Sequence, residues 1–164
     1  MTERSCGSCA TCCFAMEIET IKKPNRAPCP NQCAQGCLVY QDKPNECTDF
    51  DCSWLSGVVV SEHHRPDLVN LVVWPMPEGS WPHKMRVVNV TEAVDGARNT
   101  KEGQELIQNL LRAGWTVLVR SGETTPMLQY QLNLAAPGSE QVFDWLSESG
   151  FCFKPVSLPY AQAA

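Results

Sequence analysis

Nine cysteines crowd into the 47 residues from Cys6 to Cys52, and a tenth, Cys152, stands far downstream in a chain of 164 residues. The stretch also holds Pro24, Pro28, Pro30 and Pro44, with Gly7 and Gly36, and it has no long periodic apolar run. Such a segment cannot readily build an apolar core, whereas bonds between thiolates and a metal can replace one. The N-terminal run MTERSCGSCATCC has no apolar stretch of signal-peptide type, so a cytoplasmic chain is expected. In that reducing compartment dense cysteine points to metal binding or thiol chemistry rather than to stable disulfides.

The spacing sharpens this expectation. Cys6-x2-Cys9-x2-Cys12-Cys13 is followed by Cys29-x3-Cys33-x3-Cys37 and by Cys47-x4-Cys52. A C-x2-C step on a tight turn presents two thiolates to one metal. Adjacent Cα atoms lie about 3.8 Å apart, whereas disulfides favour about 4.4–6.8 Å, so a bond between Cys12 and Cys13 would be strained. Two metal sites, or one bridged cluster, would use both sulfurs. The metal ligands expected are Cys6, Cys9, Cys12, Cys13, Cys29, Cys33, Cys37, Cys47 and Cys52, and zinc or an iron–sulfur cluster suits such thiolates equally. Two four-thiolate zinc sites would leave surplus negative charge, for which Lys22, Lys23, Arg26 and Lys43 offer compensation. Cys29, Cys33 and Cys37 stand at i, i+4 and i+8, a spacing that fits one helix face, with Pro30 in its first turn. Cys152 reads as a buried apolar residue.

Tyr40, Phe50, Trp54 and Leu55 are expected to form a hydrophobic shell around the metal. His63, His64 and His83 read as solvated or satisfied rather than as ligands. Asp49 and Asp51 read as turn residues, and 17–19 as a solvated acidic face. Cys6-Gly7-Ser8-Cys9 has the spacing of a redox dithiol but no preceding strand, so that chemistry is not expected.

The cysteine pattern, together with Gly36-Cys37-Leu38-Val39-Tyr40, Pro44, Cys47, Phe50, Cys52 and Trp54-Leu55, resembles the YkgJ-type cysteine-cluster family of zinc- or iron-chelating CxxCxxCC proteins. The resemblance covers about residues 1–56. Lys43-Pro44 stands where the family has Arg-Pro, and Thr48 where an arginine is common; Arg65-Pro66-Asp67 also resembles a stretch of some members. The resemblance implies a metal-chelating domain, in some members attached to larger proteins such as flagellin-lysine methylases.

Beyond residue 56 the pattern changes to that of an α+β fold. Strands are expected at 68–74, 85–90, 115–120 and 127–134. Leu106, Ile107, Leu110 and Leu111 lie on one face of a helix over 101–113. Thr100 is its expected N-cap, Gly103 a weak point and Gly114 its C-cap glycine. A shorter helix is expected at 139–149. The expected organisation is a Cys-rich metal-binding module, 1–56, followed by a small α+β domain, 57–164, with a mixed sheet and one main packed helix.

Thirteen basic against 18 acidic residues give a net charge of −5, which disfavours nucleic acid as a partner. No apolar run reaches the length of a membrane span. The chain lacks a Ser-His-Asp arrangement, a phosphate loop and a dinucleotide-binding glycine motif. The function expected is metal binding through the clustered cysteines, with a protein partner or small ligand at the second domain. The alternatives are an enzyme or accessory factor that uses a redox-active or open cluster, and metal storage or trafficking.

Overall fold

Leu71, Val72 and Val73 follow one another on one strand, and their burial on two sides shows that both faces of its sheet are covered. The computed structural model describes residues 4–59, 61–77, 86–121 and 127–131. Four strands, β3 (Leu71–Pro75), β4 (Val87–Glu92), β5 (Thr116–Ser121) and β6 (Met127–Gln131), form one sheet in sequence order. The β3–β4 and β5–β6 pairs are antiparallel, and the β4–β5 pair is parallel. The parallel pair requires a crossover, which the helix α4 (Lys101–Arg112) supplies.

Register explains the two cores. Val73 pairs with Val90, and Val90 with Val119, so all three point to the same face. They pack with Leu106, Ile107, Leu110 and Leu111 of α4. Burial of each such side chain contributes about 1.5–3 kcal/mol. Val72 points to the opposite face and packs with Ala15 and Ala93.

The ends of α4 follow the sequence closely. The Thr100 hydroxyl accepts a bond from the Gly103 N–H at 3.1 Å. Gly114 adopts φ +81°, its N–H reaches Leu111 O, and the Trp115 N–H reaches Leu110 O, both at 3.0 Å. These two bonds form a Schellman cap, which requires a left-handed residue after the helix. Gly103 is more than a weak point. A Cβ there would stand 2.2 Å from the Ala97 carbonyl oxygen, so glycine is required by close packing.

Two expectations are corrected. The segment 68–74 does not begin as strand, because Pro66 opens the short helix α3 (Pro66–Val69) and Asn70 ends it at φ 55°. Proline suits a first helical turn, and asparagine tolerates the left-handed region. Cys29, Cys33 and Cys37 share no helix. The chain turns back through β1 (Gln32–Cys33) and β2 (Gly36–Cys37), an antiparallel pair, with Gly36 at φ +121°. Local turn chemistry overrides the helical spacing there. The expected strands at 85–90, 115–120 and 127–134 appear with shifted ends as β4, β5 and β6, the last described as far as Gln131. The helix expected at 139–149, His83 and Cys152 lie outside the described residues.

The Cys-rich segment contributes α1 (Thr11–Ala15), β1, β2 and α2 (Asn45–Thr48). Several bonds join it to residues after 56. Ser53 N–H donates to Val73 O at 2.6 Å, which covers part of the β3 edge. Arg4 donates to Trp54 O and Val59 O and pairs with Glu62 at 3.1 Å. Arg26 pairs with Asp95 at 2.6 Å. Phe50 meets Trp74 edge-on, their ring centroids 5.8 Å apart.

Candidate metal centre

Local turns set the thiols in place. The Cys9 N–H bonds to Cys6 O at 2.9 Å, closing a tight turn in which Gly7 takes φ +52°. The turn lies against the β1–β2 hairpin, since a Cβ on Gly36 would stand 3.3 Å from Gly7 O. Cys12 and Cys13 occupy consecutive positions of α1, whose Ala15 is anchored on Val72 beneath. Consecutive helical side chains diverge by roughly 100°, yet the two thiols remain close enough to influence one another's acidity. Cys47 sits on α2, and Pro44 O accepts its N–H at 2.9 Å.

These segments enclose a cavity of about 620 Å³. Seven of the nine expected ligands line it: Cys6, Cys9, Cys12, Cys13, Cys29, Cys37 and Cys47. Cys52 stands behind it, packed against both core clusters, yet within electrostatic reach of Cys6 and Cys9. Cys33 is the exception. Cys37 pairs with Gln32 and Cys33 with Gly36, and neighbouring pairs of an antiparallel ladder face opposite ways. Cys33 lines a second groove, beside Phe14, Asp67 and Val94, and Cys29 lines both spaces. All nine are free thiols. Among the described residues, no three His, Cys, Asp or Glu side chains are already gathered into a group able to hold a metal ion. The thiols surround a common space rather than a point.

Charge in this space is unusual. Lys23 is only 3% exposed. Its ammonium donates to the carbonyls of Phe14 and Pro24 at 3.0 and 2.9 Å, and to that of Met16. Phe14 and Met16 lie at the C-terminal end of α1, where carbonyls lack helical partners. Among the described residues no carboxylate pairs with Lys23, and the Cys29, Cys13, Cys12 and Cys47 thiols stand within its electrostatic reach. Burial lowers its pKa, and ionisation of those thiols opposes that shift.

The vicinal pair splits in acidity. A hydrogen bond from Cys12 is the main force that brings the Cys13 thiol down to about 6, and Lys23 adds to it against the effect of burial. The same hydrogen bond, and then burial, push Cys12 far up. Burial raises Cys6, Cys47 and Cys52, and neighbouring thiolates raise them further.

The surroundings of the cavity match part of the expected shell. Tyr40, Phe50 and Leu55 line it, while Trp54 lies in the core with the Arg4 guanidinium 4.9 Å above its ring. Lys43 lines the cavity and stands 4.7 Å over the Tyr40 ring. Of the four cations considered as compensation, Arg26 is taken up by Asp95 and Lys22 is exposed in a left-handed turn. Asp51 and Glu17 line the cavity, whereas Asp49 ends α2. His64 is buried at 5% exposure and His63 is exposed, and neither lines the cavity.

Arg65 and Asp67 carry a contact that the spacing of the cysteines could not reveal. Arg65 donates twice to the Asp67 carboxylate, each bond 2.6 Å long, and the Cys9 thiol stands near enough to Asp67 to lower its carboxyl further. The Arg65 pair holds the Asp67 carboxyl below the usual carboxylate range. Cys9 also lies 3.7 Å from the Thr11 hydroxyl. Lys23 was legible only as one of several cations, since nothing in the sequence marks which of them is buried.

No protein-family model, curated protein or solved structure matches the chain. The assignment of the site therefore rests on its own residues. Thiolates in this number are chemically suited to zinc or an iron–sulfur cluster. Among the described residues no helix is long and apolar enough to cross a membrane.

Proposed function

We propose that this protein is a metal-binding protein whose clustered cysteines hold zinc or an iron–sulfur cluster, as the resemblance to the YkgJ-type cysteine-cluster family implies. The observation that carries the reading is the convergence of seven thiols, from five turns and short elements, on one cavity beside the buried Lys23 ammonium. Burying an ammonium without a counter-charge costs several kcal/mol, on the order of the penalty per ion in real proteins. Thiolates bound to metal remain anionic and supply that counter-charge. The short elements of residues 4–56 bury few side chains of their own, so the metal contributes folding energy to this module. A reducing compartment keeps the thiols available, and the reading assigns the chain to the cytoplasm. The surface of residues 57–164 remains for a protein partner or small ligand.

The first experiment is purification without oxygen, followed by measurement of metal and acid-labile sulfide per chain. Iron with sulfide identifies a cluster, and zinc without sulfide identifies a structural thiolate site. A chain purified without oxygen that holds neither, and takes up neither zinc nor iron with sulfide, refutes the reading.

The size of the cavity favours a second reading. About 620 Å³ lies within the range of small-molecule sites, roughly 300–1,000 Å³. Tyr40 and Lys43 line that cavity with the thiols, giving a small ligand an aromatic face and a cation. In this reading the centre acts on a ligand, as an enzyme or accessory factor. Metal storage or trafficking is separated from both by chelation, since it requires a fold that survives loss of the metal.

A further inference from the structure

We propose that Arg4 is a positioning residue of the candidate metal centre: its guanidinium pins the Cys6–Cys9 turn to the 54–62 segment, so that one wall of the cavity is in place before metal binds. The inference rests on the metal-binding reading above and names what holds two of its thiols ready.

The geometry of one side chain carries it. Arg4 Nη1 donates to Trp54 O at 2.6 Å and to Val59 O at 2.7 Å. Arg4 Nη2 pairs with the Glu62 carboxylate at 3.1 Å. The guanidinium also lies 4.9 Å from the centre of the Trp54 ring. The Arg4 side chain is 19% exposed and that of Glu62 is 69% exposed, so the arginine is seated and the glutamate reaches it from the surface. A planar fork of donors meets two carbonyls, a carboxylate and an aromatic face at once, which a point charge on a flexible stem does not.

The seated residue is continuous with the site. Arg4, Ser5, Cys6, Gly7 and Cys9 all line the cavity. Two residues of chain span about 7 Å at most, so seating Arg4 confines the start of the turn at Cys6. The bond from Cys9 N–H to Cys6 O fixes these two residues against each other but not against the rest of the protein. Arg4 does so on one side. On the other, the turn leans on the β1–β2 hairpin, where Gly36 leaves room for Gly7 O. The apparent affinity of a site is reduced by the fraction of chains in which it is assembled. Arg4 therefore raises metal affinity without touching the metal, and bound metal holds the turn down by the same factor.

The test uses the full chain, prepared without oxygen. Zinc is titrated against a coloured chelator, and the metal-free chain is treated with iodoacetamide and mapped by peptide. Arg4→Met keeps the aliphatic stem and removes the donors. It is expected to hold as much zinc as the parent but about tenfold more weakly, with Arg4→Lys in between. In metal-free Arg4→Met, Cys6 and Cys9 label faster than in the parent, while Cys33 and Cys37 label as before. Arg26→Met breaks another ion pair between the Cys-rich segment and the later residues, with Asp95 at 2.6 Å, and leaves the labelling of Cys6 and Cys9 unchanged. Amide protection in α4 checks that each variant folds. Glu62→Ala removes one partner, gives a smaller effect in the same direction, and takes the place of Arg4→Met if that variant does not fold. Parent-like zinc affinity and parent-like labelling of Cys6 and Cys9 in folded Arg4→Met overturn the proposal. Weaker zinc with equal acceleration at every thiol and lost protection in α4 also overturns it, since Arg4 is then a general stabiliser. If the parent holds iron with sulfide instead of zinc, iron retained against the chelator is the readout. A parent that binds neither defeats the metal-binding reading and this role with it, and faster labelling in Arg4→Met then shows only that the arginine pins the turn.

Discussion

The ammonium of Lys23 donates to the backbone oxygen of Phe14 at 3.0 Å, and so ties a buried cation to the end of the helix that carries Cys12 and Cys13. Two further carbonyls, of Met16 and Pro24, complete the cradle. One side chain thus caps a helix, ties its end to Pro24 and supplies positive charge to the thiols. The 18–23 turn is closed by reciprocal bonds between Ile18 and Lys23, at 2.9 and 3.0 Å.

Replacement of Lys23 tests this. Lys23→Met keeps the aliphatic stem but leaves three carbonyls without their donor. A buried polar group left unsatisfied costs about 1–3 kcal/mol, so the variant is expected to unfold at lower denaturant than the parent, both measured with metal bound. An unchanged midpoint would show that water takes over the three carbonyls at no cost.

Gly103 gives an opposite sign to the one helix propensity suggests. Gly to Ala in an exposed helix interior gains about 1 kcal/mol. Here the added Cβ would stand 2.2 Å from Ala97 O, with Ala97 C and Arg98 Cα at 3.1 Å. Gly103→Ala is therefore expected to destabilise the fold by about 1–3 kcal/mol, the usual cost of overpacking. Urea denaturation followed by tryptophan fluorescence reads the sign directly.

Thr100 caps the same helix through its hydroxyl, which accepts from Gly103 N–H at 3.1 Å and donates to Ala97 O at 2.7 Å. Thr100→Ala is expected to cost about 1 kcal/mol, and Thr100→Ser to restore most of it. Equal losses in both variants would mean that the methyl group, not the hydroxyl, is what counts.

Chelation tests the division of labour between the metal and the apolar core. Removal of metal is expected to release amide protection in α1, the β1–β2 hairpin and α2, while α4, β4 and β5 stay protected. The reason is packing: Leu106, Ile107, Leu110, Val88, Val90 and Val119 share a core that contains none of the cavity-lining thiols. Hydrogen exchange before and after chelation distinguishes the two regions, and uniform loss over both would show that the sheet too depends on the metal.

How much of this was legible in the residues can be read from particular elements. The helix over 101–112, its Thr100 cap and its Gly114 cap were readable because each depends on neighbours within a few positions. The strands were readable from their apolar runs, but not the helical start at Pro66–Val69, where proline and asparagine outweigh the apolar residues between them. The spacing of Cys29, Cys33 and Cys37 suggested a helix and the chain made a hairpin, because Gly36 and the turn before it decide the local path. The nearness of Asp67 to Cys9 could not be read at all, since 58 positions separate them and only the fold closes that distance.

By itself the sequence determined the density of thiols and the local elements. Nine closely spaced cysteines, their turn residues and the helical and strand periods follow from short-range constraints on backbone and side chain. Tertiary structure decided which thiols share a space. Docking of α1 on Val72 and the register of β1 with β2 turn seven cysteines toward one cavity and Cys33 away from it. It also decided that Lys23, among several cations, would be buried beside them. Both outcomes depend on contacts between distant segments, and desolvation is a property of the folded surroundings rather than of any residue type.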